Sequence, residues 1–388
     1  MKKMIPYARH HISDEDIESV VKVLKSDYLT QGNKVPEFEE LISNRFGASY
    51  ALASNSATSS LHLSCLSLGL SNGDLLWTSP ITYVASANCA LFCGAQVDFI
   101  DIDPLTWNIS PQLLEEKLKK AKRIGRIPKI LILVHLAGNP CELEKIYGLS
   151  KEYGFSIIED ASHALGSKYS DEFIGSSTYS DLTVFSFHAI KNITTGEGGM
   201  ILTNNQKLAE KIDLYRSHGI TKDTKKMLNK EEGPWYYEQL LLGFNFRMSD
   251  IHASLGISQL NSLDSFISKR NQLSQTYIKE LKSLPLTMQS VRRKDLSAWH
   301  IFIIHLKLNE LELNRLEIFN SLRSKGVGVN VHYIPVHLQP FYKKLGFKKG
   351  DFPNAENYYD CVITIPMFTK LKKKDIEFVI QTLKESIY

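Results

Sequence analysis

Between about residue 45 and residue 205, short apolar segments alternate with stretches that show helical periodicity. The apolar segments are too short for helices, and continuous apolar runs of this length are typical of strands that are buried on both faces. Strands that alternate with helices predict a mostly parallel sheet with helices on both sides. We therefore expect an α/β fold, with strands at residues 97–100, 130–134, 156–158 and 183–187.

The chain is long enough for two domains, because 388 residues exceed what one compact core usually holds. We place a large domain in residues 1–255, with its N-terminal segment near the small domain, and a smaller α/β domain in residues 256–388. A long helix at residues 247–267 is predicted to lead out of the large domain. The small domain is expected to contain strands at 301–308 and 327–333 and a helix at 313–325.

Composition and charge favour an ordinary globular enzyme. The chain is 43% hydrophobic and 23% charged, and its net charge of +4 indicates no particular partner. Residues 117–129 hold seven Lys and Arg without interleaved aromatic residues, so nucleic acid binding is not expected. No apolar run is long enough to span a bilayer, and residues 1–4 are not followed by a signal-like segment. We therefore expect a cytoplasmic protein with no membrane partner.

Metal binding is not expected. Cys89 and Cys93 are one helical turn apart, but no His or Cys lies near them in sequence, so packed, reduced thiols are the favoured interpretation. His332 and His337 are separated by Pro335, which breaks any helix that would bring them to one face.

Lys191 stands between a predicted buried strand and a glycine-rich turn at residues 196–199. An amine held in this way is poorly solvated and immobile. It can lose its proton near neutral pH and attack a carbonyl to form a Schiff base. The alternative, which holds for most lysines, is a surface residue on a loop.

A second motif, SIIEDASH at residues 156–163, ends a predicted buried strand in the carboxylate of Asp160. Ligands of open α/β sheets gather at the carboxyl ends of strands, and a buried carboxylate needs a cationic partner. A pyridinium nitrogen is such a partner, and an Asp on this nitrogen with a Schiff-base lysine is typical of pyridoxal phosphate enzymes. The alternative is that Asp160 only caps the following helix. Together the two motifs predict pyridoxal 5′-phosphate as the cofactor, with Lys191 and Asp160 as catalytic residues.

A phosphate site is predicted where a strand at residues 50–53 is followed by the small residues 54–60. Free N–H groups at the start of a helix, here at Ala57, favour a dianionic phosphate, and the hydroxyls of Thr58 and Ser59 add donors. Ser186 is assigned as a second phosphate donor. The alternative for such a segment is an ordinary helix cap.

These segments resemble the sugar aminotransferases of the DegT/DnrJ/EryC1/StrS family, which are fold-type-I pyridoxal phosphate enzymes. The similarity extends over nearly the whole chain and includes residues 5–7, 28–32, 216–220, 243–250 and 331–340. It implies a homodimer with a shared active site, in which Asn245 reaches the cofactor phosphate of the neighbouring subunit. Arg247 would assist there or would only pair with a carboxylate.

The resemblance also implies roles for other side chains. Tyr83 would stack on the pyridine ring, and His163 would bind the phenolic oxygen of the cofactor or pack against its ring. The sugar nucleotide would be bound by Tyr7, Tyr28, Leu29, Thr30, Gln31, Ala57, Ser186, His188, Asn245, Arg247, His332, Tyr333, Ile334 and Pro335.

Residues 218–223, 233–238 and 330–335 are most like the 4-aminotransferases of the pseudaminic acid pathway. This likeness implies transfer of an amino group from L-glutamate to C4 of a UDP-linked 4-keto-6-deoxy-N-acetylhexosamine, for glycosylation of surface proteins such as flagellin. An aminotransferase for C3 or for another nucleotide sugar remains an alternative, and so does a non-catalytic module on this scaffold. A family dehydratase would carry histidine in place of Lys191. The polar segment 222–232 is either a loop at the active-site mouth or a loop without a role.

Overall fold

Two main sheets, of seven and three strands, organise the protein in a computed structural model that describes residues 4–229 and 233–388. Residues 1–3 and 230–232, which belong to the N-terminal segment and the polar loop discussed above, lie outside the described residues. Within the described part of the chain, no helix combines the length and the apolar character needed to cross a membrane.

The larger sheet has the strand order β1-β9-β8-β5-β4-β2-β3, in which only β9 runs antiparallel to its neighbours. The smaller sheet has the order β12-β13-β14, and two pairs of two-residue strands complete the set. The strands are β1 (Tyr50–Ser54), β2 (Leu75–Thr78), β3 (Gln96–Phe99), β4 (Ile130–Val134), β5 (Ser156–Asp160), β6 (Lys168–Tyr169), β7 (Glu172–Phe173), β8 (Leu182–Ser186), β9 (Gly199–Thr203), β10 (Ile220–Thr221), β11 (Glu238–Gln239), β12 (Leu286–Met288), β13 (Phe302–Leu306) and β14 (Val362–Ile365).

Helices cover both faces of the larger sheet. Helices α2, α5, α6 and α8 contribute to one apolar cluster, and α3, α4 and α7 contribute to the other. The helices are α1 (Asp14–Leu24), α2 (Lys34–Phe46), α3 (Ala57–Ser67), α4 (Ala85–Phe92), α5 (Pro111–Arg123), α6 (Leu143–Tyr153), α7 (Gln206–Arg216), α8 (Asp250–Leu260), α9 (Leu263–Leu281), α10 (Arg315–Ser324), α11 (Pro340–Lys344), α12 (Pro353–Cys361) and α13 (Lys373–Ile387).

Strand β4 shows why this sheet is buried on both sides. Leu131 and Leu133 belong to one cluster, whereas Ile130, Ile132 and Val134 belong to the other. Successive side chains of a strand point to opposite faces, so an unbroken apolar run supplies both layers of the core. The predicted mostly parallel sheet between two layers of helices is confirmed.

The predicted long helix at residues 247–267 is wrong, because the chain forms two helices that meet at Asn261 and Ser262. Both of these residues donate their N–H groups to carbonyls three residues back, at Ser258 and Gln259. Asn and Ser side chains compete for backbone groups and are poor helix formers, which is consistent with a break here. Helix α8 therefore ends at Leu260, and α9 begins separately.

The predicted strand at residues 327–333 is also wrong. Val327 makes only an isolated bridge to Ile5, and Asn330 makes one to Thr364. The next residues turn into a cavity instead of continuing a ladder. The strand predicted at 301–308 is present as β13, and the helix predicted at 313–325 is present as α10.

The N-terminal segment is fixed to the smaller sheet region. The N–H of Ile5 donates to the carbonyl of Gly326 at 3.0 Å, and the N–H of Gly328 donates back to Ile5 at 2.7 Å. The N–H of Met367 donates to the carbonyl of Tyr7 at 2.9 Å. Residues near the N-terminus are thereby held beside the C-terminal third of the chain. The domain boundary at residue 255 stays a prediction.

Candidate active site

Lys191 and Asp160 are brought to the same edge of the sheet because β5 and β8 are parallel neighbours. Asp160 is the last residue of β5 and pairs with Val184 of β8. The chain leaves β8 at Ser186, and Lys191 follows in the turn that leads to β9. Parallel strands place their carboxyl ends together, so this arrangement follows from the topology.

A cavity of about 540 Å³ opens at this edge. The residues from the first turn of α3, the end of β5, the turn after β8 and the segment after Asn330 all contribute to its wall. Among the residues that the sequence predicts for the site, the cavity is lined by Tyr7, Ala57, Thr58, Tyr83, Asp160, His163, Ser186, His188, Lys191, His332 and Tyr333.

Lys191 has the electrostatic setting that the sequence predicts. Burial lowers the pKa of its ammonium group from the usual 10.5 to about 8, although the carboxylate of Asp160 acts in the opposite direction. A pKa of about 8 leaves a substantial neutral fraction at mildly alkaline pH. A neutral amine is the form that attacks a carbonyl or accepts a proton, so the site can support both reactions.

Both oxygens of the Asp160 carboxylate receive hydrogen bonds. The backbone N–H of Ser162 donates to Oδ1 at 3.1 Å, and the hydroxyl of Ser86 donates to Oδ2 at 2.6 Å. Asp160 is buried, with 6% of its surface exposed. These two donors fix the orientation of the buried carboxylate, whose negative charge is suited to a cationic ring nitrogen.

The first turn of α3, where the phosphate site is predicted, packs closely against the start of β9. Ser56 caps the helix by accepting a hydrogen bond from the N–H of Ser59. The backbone of Gly199 approaches so closely that a Cβ atom there would lie 2.6 Å from the carbonyl carbon and oxygen of Ser56. The N–H groups of a first helical turn lack partners within the helix, so the cavity-lining Ala57 and Thr58 can offer donors to an anion.

Ser59, in contrast, does not line the cavity. Its hydroxyl donates to Oδ1 of Asn55 at 2.7 Å and lies within 3.0 Å of the Ser56 hydroxyl. The side chain therefore takes part in the cap itself. Its role as a phosphate donor stays a prediction, whereas Thr58 and Ser186 both reach the cavity wall.

His163 is held as a neutral ring with an assignable tautomer. The N–H of Ala137 donates to Nδ1 at 3.2 Å, so the ring hydrogen belongs on Nε2, which lies 3.1 Å from the hydroxyl of Tyr333. Burial and the positive charge of Lys191 keep the pKa of His163 well below its usual value. Since Nε2 already has a partner, ring packing is the role of His163 that these contacts favour.

His332 lines the opposite part of the cavity and is also neutral. Burial, with the nearby charge of Lys191, lowers the pKa of His332 to about 3. Its Nδ1 lies 2.8 Å from the hydroxyl of Thr364, and its ring lies 5.4 Å from that of Tyr7. His332 and Tyr7 give the cavity a partly aromatic wall.

Several predicted residues do not line this cavity. Tyr28 and Leu29 are exposed, and their loop is fixed to α8, where the carboxylate of Asp250 accepts the N–H groups of Gly32 and Val35. The cavity wall of this chain does not include Tyr28, Leu29, Thr30, Gln31, Ser59, Asn245, Arg247, Ile334 or Pro335.

Sequence reasoning also missed Ser86, which does not line the cavity, and several residues of the wall. Ser86 contacts Asp160 directly, but it lies in a helix of small residues that gives no signal of function. The lining residues that were not predicted include Ser56, Thr82, Ser162, Ile190, Glu197, Asn330 and Val331. Ser56 and Asn330 lie within segments that the resemblance covers, next to residues that were assigned to the site. Their position beside those residues could have identified them.

The residues present fit pyridoxal phosphate on structural grounds. A buried carboxylate, a lysine of lowered pKa and a helix start with a glycine-dependent close approach all face one cavity. This fold and this set of residues define the class of fold-type-I pyridoxal-phosphate-dependent transferases. The description "DegT/DnrJ/EryC1/StrS aminotransferase family" fits residues 10–384, and the chain belongs to this family. It is therefore an enzyme, a sugar aminotransferase.

Individual relatives cover the chain almost completely. A Campylobacter jejuni protein named UDP-4-amino-4,6-dideoxy-N-acetyl-beta-L-altrosamine transaminase is 40% identical over 98% of this chain and 96% of its own length. The structure of Helicobacter pylori PseC, an aminotransferase involved in pseudaminic acid biosynthesis, has a TM-score of 0.89 at 32% identity, with 99% of both chains covered. Spr1654 from Streptococcus pneumoniae, solved in a PLP form, has a TM-score of 0.88 at 28% identity and covers 99% of this chain and 98% of its own.

Proposed function

We propose that this enzyme moves the amino group of L-glutamate to C4 of UDP-2-acetamido-2,6-dideoxy-beta-L-arabino-hex-4-ulose, which gives UDP-4-amino-4,6-dideoxy-N-acetyl-beta-L-altrosamine for pseudaminic acid synthesis. The observation that carries the proposal is the single cavity in which Lys191, Asp160 and the α3 cradle meet. The Campylobacter jejuni and Helicobacter pylori relatives support the choice of sugar. Glutamate as donor, a cytoplasmic location and a use in flagellin glycosylation belong to the same proposal.

Pyridoxal phosphate, when bound, would carry the amino group between the two substrates and take up the electron pair released at the reacting carbon. In this proposal its phosphate is held by the first turn of α3, with Thr58 and Ser186 as side-chain donors. Asp160 would pair with the protonated ring nitrogen, because its carboxylate is buried and is oriented by the donors Ser86 and Ser162. Tyr83 and His163 would contact the faces of the ring.

Lys191 has two tasks in this reaction. As a neutral amine it would hold the aldehyde carbon of the cofactor, and once displaced by the substrate it would move a proton at the reacting carbon of the substrate. Its pKa of about 8 suits a group that must both take and give a proton near neutral pH. Because burial and the charge of Lys191 lower the pKa of His332 and His163, neither ring adds a positive charge beside Lys191 near neutral pH.

The experiment that tests this proposal supplies the purified enzyme with pyridoxal phosphate, glutamate and the UDP-linked 4-keto sugar of L-arabino configuration. We expect a UDP-4-amino sugar and 2-oxoglutarate in equal amounts, identified by mass spectrometry and NMR. The matched control is the epimeric 4-keto sugar of D-xylo configuration, which should react more slowly. Faster conversion of that epimer, or amination at C3, would transfer the assignment to another nucleotide sugar.

We further propose that the enzyme is a homodimer with a shared site, because this cavity is poor in cations. Among the described residues that line it, Lys191 is the only lysine or arginine, whereas Asp160 and Glu197 are acidic. A diphosphate and the two carboxylates of glutamate need cationic or N–H partners. Asn245 is exposed, and Nε of Arg247 is a buried atom without a partner in the described chain. These two residues are proposed to complete the site of a neighbouring subunit.

Mixing two inactive variants tests the shared site. Dimers re-formed from equal amounts of Lys191→Ala and Asn245→Ala chains should regain about a quarter of the wild-type activity, because half of the dimers would contain one intact site. Activity is measured after subunit exchange, and mixed dimers are quantified by native mass spectrometry. Lys191→Ala mixed with Asp160→Asn is the control, since both residues belong to the same chain's site and no intact site can form. No recovery in the first mixture, with mixed dimers present, would contradict sharing.

A further inference from the structure

The side chain of Ser86 forms an unusual contact for a buried helical serine. Ser86 lies in the first turn of α4, is fully buried, and donates its hydroxyl to Oδ2 of Asp160 at 2.6 Å. The two residues are 74 positions apart in the sequence. A contact of this length between a hydroxyl and a carboxylate is a short, charge-assisted hydrogen bond.

Two other buried helical serines, Ser64 and Ser254, behave differently. Ser64 donates to the carbonyl of Ser60 at 2.8 Å, and Ser254 donates to that of Ile251 at 2.9 Å. This bond within the helix is the ordinary solution for a buried serine. For Ser86, the corresponding carbonyl, that of Tyr83, lies 3.4 Å away. The Ser86 hydroxyl has thus been directed away from its own helix and toward the carboxylate.

The single hydrogen of each hydroxyl determines which residue donates in these contacts. A serine hydroxyl has one hydrogen, and that of Ser86 is used at Asp160. The hydroxyl of Thr82 lies 2.7 Å from Oγ of Ser86, so Thr82 must be the donor in that pair. Both residues are buried, and Thr82 also lines the cavity. The result is an ordered relay in which Thr82 donates to Ser86 and Ser86 donates to Asp160.

We propose that Ser86 is a positioning residue that holds the Asp160 carboxylate oriented toward the cofactor's ring nitrogen, with Thr82 as the outer member of the relay. The inference rests on the proposed role of Asp160. The backbone N–H of Ser162 fixes Oδ1, and Ser86 fixes Oδ2, so the carboxylate plane is set from both sides. Neither Ser86 nor Thr82 donates to the cofactor in this account.

The test is an absorbance titration of the loaded enzyme, which reports on the proton balance around the cofactor without turnover. In Ser86→Ala, the Asp160 carboxylate loses the donor on Oδ2 and is held less firmly against the ring nitrogen, so the ring becomes less cationic. A less cationic ring withdraws fewer electrons from the C=N group that Lys191 would form with the cofactor. The nitrogen of this group therefore keeps its proton to a higher pH. We expect the pH midpoint at which the near-visible band titrates to rise by roughly half a pH unit or more. Thr82→Val should give a smaller shift in the same direction.

Ser64→Ala is the matched control, because it removes a buried helical hydroxyl that bonds only within its own helix. Its midpoint should equal that of the wild type. Lys191 and Tyr333, whose pKa values Asp160 raises, are retained in all three variants. Any shift confined to Ser86→Ala and Thr82→Val therefore arises from the relay.

An unchanged midpoint in Ser86→Ala with full cofactor occupancy would overturn the inference and leave the proposed function standing. If Ser86→Ala does not fold, Thr82→Val decides, since valine keeps the shape of threonine, and an unchanged midpoint there would equally overturn the relay. A wild-type enzyme without any near-visible band after loading would instead remove the proposed function and this inference together.

Discussion

Replacing Lys191 with alanine is expected to remove the covalent link to the cofactor and to lower turnover by at least about 10³-fold. Alanine has no amine to bind the aldehyde or to move the proton at the reacting carbon. The cradle at α3 and the carboxylate of Asp160 remain, so the variant should still bind the cofactor non-covalently. No other lysine or arginine among the described residues lines the cavity, and a substitute amine is therefore not at hand.

The measurement compares absorbance spectra before and after borohydride reduction, followed by peptide mass spectrometry. Wild-type protein should carry the reduced cofactor on Lys191, and the alanine variant should release it on denaturation. Lys373→Ala is the control, because this lysine is 92% exposed at the start of α13 and its loss should change neither spectrum nor rate. Turnover at the wild-type rate by Lys191→Ala would refute the assigned mechanism.

Replacing Asp160 with asparagine is expected to retain most of the cofactor and to lower kcat by about 10²- to 10³-fold. An uncharged amide cannot stabilise a proton on the ring nitrogen, so the ring becomes a weaker acceptor of electrons. The same change has a second, electrostatic consequence. Asp160 raises the pKa of Lys191 against the effect of burial, so its removal should lower the pKa of Lys191 below about 8. Capture of added cofactor should then reach its half-maximal rate at a lower pH than in the wild type.

These two effects are separated by measuring kcat at full cofactor occupancy and the pH dependence of cofactor uptake by the stripped protein. Asp264→Asn serves as the control, because Asp264 pairs with Arg45 at the surface and is 77% exposed. It should match the wild type in both measurements. An unchanged kcat in Asp160→Asn would remove Asp160 from its role, and an upward shift of the uptake profile would contradict the electrostatic account.

The parts of the fold that the sequence predicts well are those where burial alone decides the pattern. The run at residues 130–134 is apolar at every position because β4 supplies both layers of the core, and its predicted bounds are those observed. The common position of Lys191 and Asp160 was predictable, because the carboxyl ends of strands in a parallel sheet meet at one edge. Such reasoning needs only local pattern and a general rule of topology.

Contacts between distant segments were beyond this kind of reasoning. Ser86 gives no local signal, and its contact with Asp160 exists only once α4 is packed beside β5. The helix break at Asn261 was hidden by apolar periodicity that continues through it. Tyr28 and Asn245 do not line the cavity of their own chain. The sequence pattern of one chain carries no information about contacts with a second subunit.

The register of three strands has a consequence for exchanging segments between relatives. Gly199 at the start of β9 pairs on one side with Ser54, which precedes the cradle, and on the other with Ser186, which precedes the lysine turn. One residue without a side chain thus sets the spacing between the parts proposed to hold the two ends of the cofactor. In a chimaera, β1, β8 and β9 must therefore come from the same parent. A crossover between them would combine the glycine of one parent with the cradle of the other parent.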